Sequence, residues 1–148
     1  MSIHSFIFAP GAWIGEGRVT FSMSPDLVRY YTKWVVEAAY EGKIACEQRV
    51  EKEGGGEDLF NSFTFYELTA ESFKVDLTND TLGTVSGHGI IDEKTIAWEF
   101  KGDSEFQGFE VYELQENGDY LVHAEYSSSE EFRTIVDGRI WKKEEKNS

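Results

Sequence analysis

Hydrophobic and polar positions alternate with a period of two along most of the chain, and that alternation predicts strands. Ile44, Cys46, Gln48 and Val50 fall on one side of a segment whose other side is Ala45, Glu47, Arg49 and Glu51. Phe73, Val75 and Leu77 oppose Lys74 and Asp76; Ile96, Trp98 and Phe100 oppose Ala97, Glu99 and Lys101. Turn residues separate these runs: the triple glycine 54–56, Asn79-Asp80, Asp92-Glu93-Lys94 and Gly102-Asp103-Ser104. Asn117-Gly118 is the strongest two-residue hairpin signal in the chain.

Other runs are less regular. Residues 59–68 are aromatic on both faces, so their inward side stays unassigned. The first arm of the hairpin at 82–101 carries Gly83, Gly87 and Gly89, which weaken a strand and mark a bulge or strong coiling. Further strands are expected over 106–114, 120–126 and 132–141. Residues 27–40 fit two patterns. As a helix they have Ser24 as cap, Pro25 at the first position and Gly42 as stop. As a strand they place Val28, Tyr30, Thr32, Trp34 and Val36 on one face, and this reading is preferred because the run is rich in β-branched and aromatic residues.

With the opening strand at 11–21, the tally is about ten strands joined mostly by tight turns, with no helical crossover. A meander of that kind escapes its exposed edges by closing on itself. The expected fold is therefore all-β, a single antiparallel up-and-down barrel over residues 1–141, followed by a charged, disordered tail at 142–148.

Composition narrows the partners. Acidic residues outnumber basic ones 28 to 14 for a net charge of −14, so the chain repels nucleic acid and anionic membrane surfaces. Most acids alternate with apolar residues, which reads as a solvated face. Cys46 is the sole cysteine, leaving no intramolecular disulfide and fitting a reducing compartment. No lysine or arginine precedes Arg18, no apolar run reaches the roughly 20 residues of a membrane span, and the expected location is the cytoplasm.

The segment Gly11-x-Trp13-x-Gly15-x-Gly17 resembles the opening strand of the calycin barrels, the lipocalins and fatty-acid-binding proteins, with their G-x-W signature. The fuller spacing is most similar to nitrobindin-like ten-stranded barrels. The resemblance implies that Trp13 plugs the closed end while the glycines let a coiled strand bend. It also implies an arginine from the last strand packed on that tryptophan, with Arg139 the first candidate and Arg133 the second. In nitrobindin-like proteins a histidine near the start of the last strand binds haem iron, but here that place reads Phe132-Arg133-Thr134. The nearest histidine is His123, for which haem ligation is the lesser reading beside an ordinary hydrogen-bonded role. His88 stands between two glycines, and His4 is expected in a mobile terminus.

No other chemistry-bearing pattern is present: no G-x-S-x-G, no phosphate-binding loop, no C-x-x-C and no H-E-x-x-H. Glu47, Glu51, Glu99 and Glu125 fall mostly on solvent parity. The leading expectation is a lipocalin-like protein holding a small, largely apolar ligand inside the barrel, without a cofactor, contacted by Tyr30, Trp34, Cys46, Gln48, Trp98, His123 and Tyr126. No helix-turn-helix lid follows the first strand, so either the apolar segment 3–9 covers one end or the mouth is open. The rival is a filled barrel acting as an interaction or self-associating module, a homodimer for instance, through exposed Tyr31, Tyr40 and Phe65. A third reading, an enzyme, requires two or more titratable groups converging inside.

Overall fold

The computed structural model describes residues 4–101, 106–127 and 133–143. They contain ten strands: β1 (Gly11–Phe21), β2 (Ser24–Val36), β3 (Lys43–Lys52), β4 (Leu59–Tyr66), β5 (Ser72–Asn79), β6 (Gly83–Ile91), β7 (Thr95–Phe100), β8 (Gln107–Leu114), β9 (Tyr120–Ser127) and β10 (Arg133–Lys142). Each strand pairs antiparallel with its sequence neighbours, and β10 returns to β1, so the sheet closes as an all-β up-and-down barrel. Residues 102–104, 128–132 and 144–148, which hold one expected turn, the first residue of the expected last strand and most of the expected tail, lie outside the described residues. Lys142 belongs to β10, where it pairs with Trp13.

The two-way stretch is a strand. In β2 the side chains of Tyr30, Thr32, Trp34 and Val36 are buried, and the residues between them are exposed. Ser24 and Pro25 begin this strand instead of capping a helix, a place where the missing proline N–H costs no ladder bond. Pairing also settles β4. Gln48, Cys46 and Ile44 on the inner face of β3 stand opposite Asn61, Phe63 and Phe65, and opposed residues share a face. Phe65, expected on the surface, is fully buried. At Asn117-Gly118 the turn is real but longer than two residues: Gln115 and Asp119 pair across it, and Gly118 takes the left-handed conformation at φ 92°.

Several inward glycines make room for aromatic rings from the adjacent strand. A Cβ on Gly17 would strike the Tyr30 ring and the Asp137 carbonyl, one on Gly89 the Phe73 ring, and one on Gly108 the Tyr126 ring. The opening motif thus has a packing reason. Gly17 faces Gly138 on β10 and Tyr30 on β2, so the tyrosine lies against a wall with no side chains.

One end of the barrel is closed from inside by the segment before β1. Phe6 and Ile7 are fully buried, and the Phe6 ring lies 5.3 Å from that of Trp13, 5.2 Å from Trp34 and 5.0 Å from Tyr112. His4 is not in a mobile terminus. Its Nδ1 is 2.7 Å from the Tyr120 hydroxyl and its Nε2 2.7 Å from the Asp92 carbonyl oxygen, tying the segment to β9 and the β6–β7 turn. Trp13 packs in this plug against Phe6 and Tyr120, and neither arginine of the last strand lies on it. Arg139 is exposed on the outer face, over the Trp141 ring at 5.0 Å and 3.8 Å from Glu16. Arg133 is also exposed, near Glu125. No helix among the described residues is long and apolar enough to cross a membrane.

Candidate functional site

Between the N-terminal plug and the opposite end, the barrel encloses a cavity of about 630 Å³. Its inner limit is set by Trp34, Phe63 and Tyr112, and Phe6 packs on two of these rings from the plug side. Valines and other aliphatic side chains from facing strands, Val19, Val50, Val122 and Val136 among them, form the walls. At the mouth stand Phe21, Leu59 and Phe60, the last 62% exposed, together with Lys52 and the acids Glu57, Asp58 and Asp80. A pocket of this size, apolar with a few converging polar groups, is the form a small-molecule site takes.

The converging polar groups centre on Glu110, midway along β8. Gly108, Glu110, Tyr112 and Leu114 share the inward face of that strand, and Glu110 is only 4% exposed. The Tyr112 hydroxyl donates to its Oε1 at 2.6 Å, the Trp98 indole N–H donates to Oε2 at 3.1 Å, and the Tyr126 hydroxyl donates to the same carboxylate. Among the described residues, no lysine, arginine or histidine forms an ion pair with Glu110. Burial raises the carboxyl above the ordinary glutamate range, and the bonds from Tyr112, Tyr126 and Trp98 oppose that rise. Burial first, and the Glu110 charge second, also push the hydroxyls of Tyr30, Tyr112 and Tyr126 upward. The tyrosines therefore stay neutral donors at any ordinary pH.

A second polar line runs from the wall to the mouth. Asn61 donates to the Gln48 amide oxygen at 2.8 Å, and Asn79 donates to Asn61 at 3.0 Å. The Asn79 oxygen in turn accepts from the backbone N–H groups of Thr81 and Leu82. These bonds hold the β5–β6 turn at the mouth. Thr32, also lining the cavity, has a buried hydroxyl with no hydrogen-bond partner among the described residues.

Of the seven side chains expected at a ligand, the cavity brings together Tyr30, Trp34, Gln48 and Tyr126. Trp98 does not line it, but holds Glu110 and stacks on Tyr112 at 4.9 Å. Cys46 lies in the filled core beside Phe63, outside the cavity lining, and burial pushes its thiol up to about 12. His123 is on the outer wall, 42% exposed, with Nδ1 2.6 Å from Asp137 and Nε2 3.0 Å from Glu125. Its neighbours in β9, Val122 and Ala124, are the ones that face inward. With both ring nitrogens engaged and the ring outside, the residues present do not fit a haem held in the barrel by His123.

Sequence reasoning missed Glu110 and Thr32. The polar residues Gln107 and Glu113 mark the other face of β8 as outer, which places Glu110 inside. Phe109 and Val111 on that outer face conceal the signal.

No known family matches this chain, and no curated protein matches it. Among solved structures it is similar to the S-type phycobiliprotein lyase CPES from Guillardia theta, with a TM-score of 0.70 over 99% of this chain and 95% of that one. The identity is 10%, so the likeness is one of fold. It supports the closed antiparallel ten-stranded barrel.

Proposed function

We propose that this protein is a lipocalin-like binding protein that holds a small, largely apolar molecule in the barrel. The observation that carries the reading is the cavity of about 630 Å³, walled by aliphatic and aromatic side chains and closed at one end by a plug from the chain itself. Exposed Phe60 and Leu59 at the mouth give an apolar molecule a surface to meet first. Tyr30, Trp34, Gln48, Glu110, Tyr112 and Tyr126 are its proposed contacts. The structural neighbour is named as a phycobiliprotein lyase, and at 10% identity that name adds a precedent for the barrel without assigning its reaction.

The interaction-module reading has weaker support. Tyr31 and Tyr40 are exposed, but Phe65 is not, and a barrel with a cavity is not filled. The single unpaired Cys46 favours the cytoplasm as the compartment.

A neutral hydrophobic fluorophore such as N-phenyl-1-naphthylamine tests the proposal. It should bind the wild-type protein at one site per chain with a blue-shifted emission. Ala124→Trp, which places an indole in the cavity, should abolish that binding while the β-sheet circular dichroism persists. Absence of any binding by the wild type would sink the reading.

A further inference from the structure

We infer that the cavity takes an apolar molecule carrying a protonated amine or comparable N–H cation, and that this group seats on Glu110. The inference rests on the binding function proposed above and names the class of ligand for the same site.

Three observations carry it. The first is the unfinished coordination of the carboxylate. Two oxygens offer about four acceptor positions, and the protein fills three of them with Tyr112, Trp98 and Tyr126. A further donor has a place, while a second carboxylate would meet like charge. The second is the absence of a cation from the described surroundings. An isolated buried carboxylate is costly, and the group keeps its proton until it meets an opposite charge and hydrogen bonds. A cationic ligand provides both. The third is Thr32, buried, lining the same cavity, with its hydroxyl unpartnered among the described residues. A second polar position on the ligand would satisfy it.

The outer field favours the same class. The net charge is −14, and the mouth carries Glu57, Asp58 and Asp80 against Lys52. Asp58 is engaged by Arg49, which leaves two acids and one lysine at the rim. Such a field concentrates small cations at the entrance and disfavours anions. The interior then selects by its apolar walls.

Three probes of one shape test the inference: 2-naphthylmethylamine, 2-naphthylmethanol and 2-naphthoate, titrated calorimetrically at neutral pH. The amine should bind wild-type protein at least about tenfold more tightly than either of the others, the usual worth of a charge-assisted hydrogen bond. Glu110→Gln should remove the preference, so that the amine binds the variant no more tightly than the alcohol binds the same variant. In the wild-type complex, intermolecular NOEs from the amine's methylene should reach the ring protons of Tyr112 and Tyr126, a readout that needs no variant. If the alcohol binds and the amine binds no better, or if the preference survives Glu110→Gln, or if the methylene touches only rim protons, the inference is overturned and the binding function stands. If none of the three binds while N-phenyl-1-naphthylamine does, the inference falls and the binding function stands; if that fluorophore fails as well, both fall.

Discussion

The Tyr112 hydroxyl lies 2.6 Å from Oε1 of Glu110, two positions earlier on the same strand and on the same inward face. That contact helps keep an acidic group inside an apolar barrel, and the arrangement has a signature in the dependence of stability on pH. Burial raises the folded-state carboxyl above its ordinary value of 4.5. Below that value both folded and unfolded chains hold the proton, and Glu110 contributes no slope. As the pH rises past it, the unfolded chain releases the proton freely while the folded chain resists, so the folded state binds more protons and stability declines. The decline ends once the pH passes the raised folded-state value. Glu110→Gln lacks this titration. The melting temperature of the variant minus that of the wild type should be flat below about pH 4.5 and then grow with pH, measured in parallel scans from about pH 4 to 8. A difference that shrinks over that range would contradict the placement of Glu110.

Strand positions were legible where one face was consistently polar. In β3 and β7 the alternation alone fixes the inner side, since Glu47, Arg49 and Glu51, or Glu99, have no other place to go. In β4 it does not, because Leu59, Phe60, Phe63, Phe65 and Tyr66 occupy both faces, and only register with β3 decides. The same limit concealed Glu110 behind Phe109 and Val111. The glycine motif was readable as architecture, but the reason for Gly17 is Tyr30, thirteen residues further along the chain, opposite it in the β1–β2 register and invisible to local pattern. The plug was legible only as an apolar run. Nothing in periodicity says that coil before the first strand enters the barrel, which is why His4 read as mobile and Arg139 was assigned the place that Phe6 occupies.

Phe6 should be the most costly single residue of the plug to truncate. It is fully buried and touches Trp13, Trp34, Tyr112 and Tyr120. Phe6→Ala should lose about 3–5 kcal/mol in urea unfolding, as for other buried aromatic rings. It also removes support from behind Trp34 and Tyr112, so affinity for a neutral fluorophore should fall in the protein that remains folded. His4→Ala should cost less, about 1–3 kcal/mol, through the hydroxyl of Tyr120 and the carbonyl of Asp92 that it leaves without their histidine. A Phe6→Ala variant as stable as the wild type would show that the segment does not hold the end closed.

On the outer wall, His123 should titrate above the ordinary histidine value of 6.5. The hydrogen bonds to Asp137 and then Glu125 stabilise its protonated form, outweighing a small opposing effect of burial. The stability it lends is fully present below the unfolded value and is lost as the pH rises through the folded one. Its size is small, up to about 1 kcal/mol, because the ring is substantially exposed and screened. NMR titration of the His123 ring should give a midpoint above 6.5 that falls in Asp137→Asn. Added haemin should develop no Soret band that His123→Ala removes; a band lost with this one substitution would contradict the outward placement.

Gly17 ties the opening motif to the cavity, and its substitution should report on both. A Cβ there would meet the Asp137 carbonyl of β10 and the ring of Tyr30, and the backbone contact cannot be relieved by a side-chain rotation. Gly17→Ala should therefore destabilise the barrel by about 1–3 kcal/mol, the usual cost of forcing atoms into a packed site. The displaced Tyr30 ring has one direction to go, into the cavity it lines, so affinity for a neutral fluorophore should drop as well. Adding Tyr30→Ala to Gly17→Ala separates the two effects. The double variant should regain fluorophore binding, since the ring is gone, but recover only part of the lost stability, since the Asp137 carbonyl remains. Full recovery of stability would mean that the ring alone accounts for the glycine, and no recovery of binding would mean that Tyr30 does not move inward.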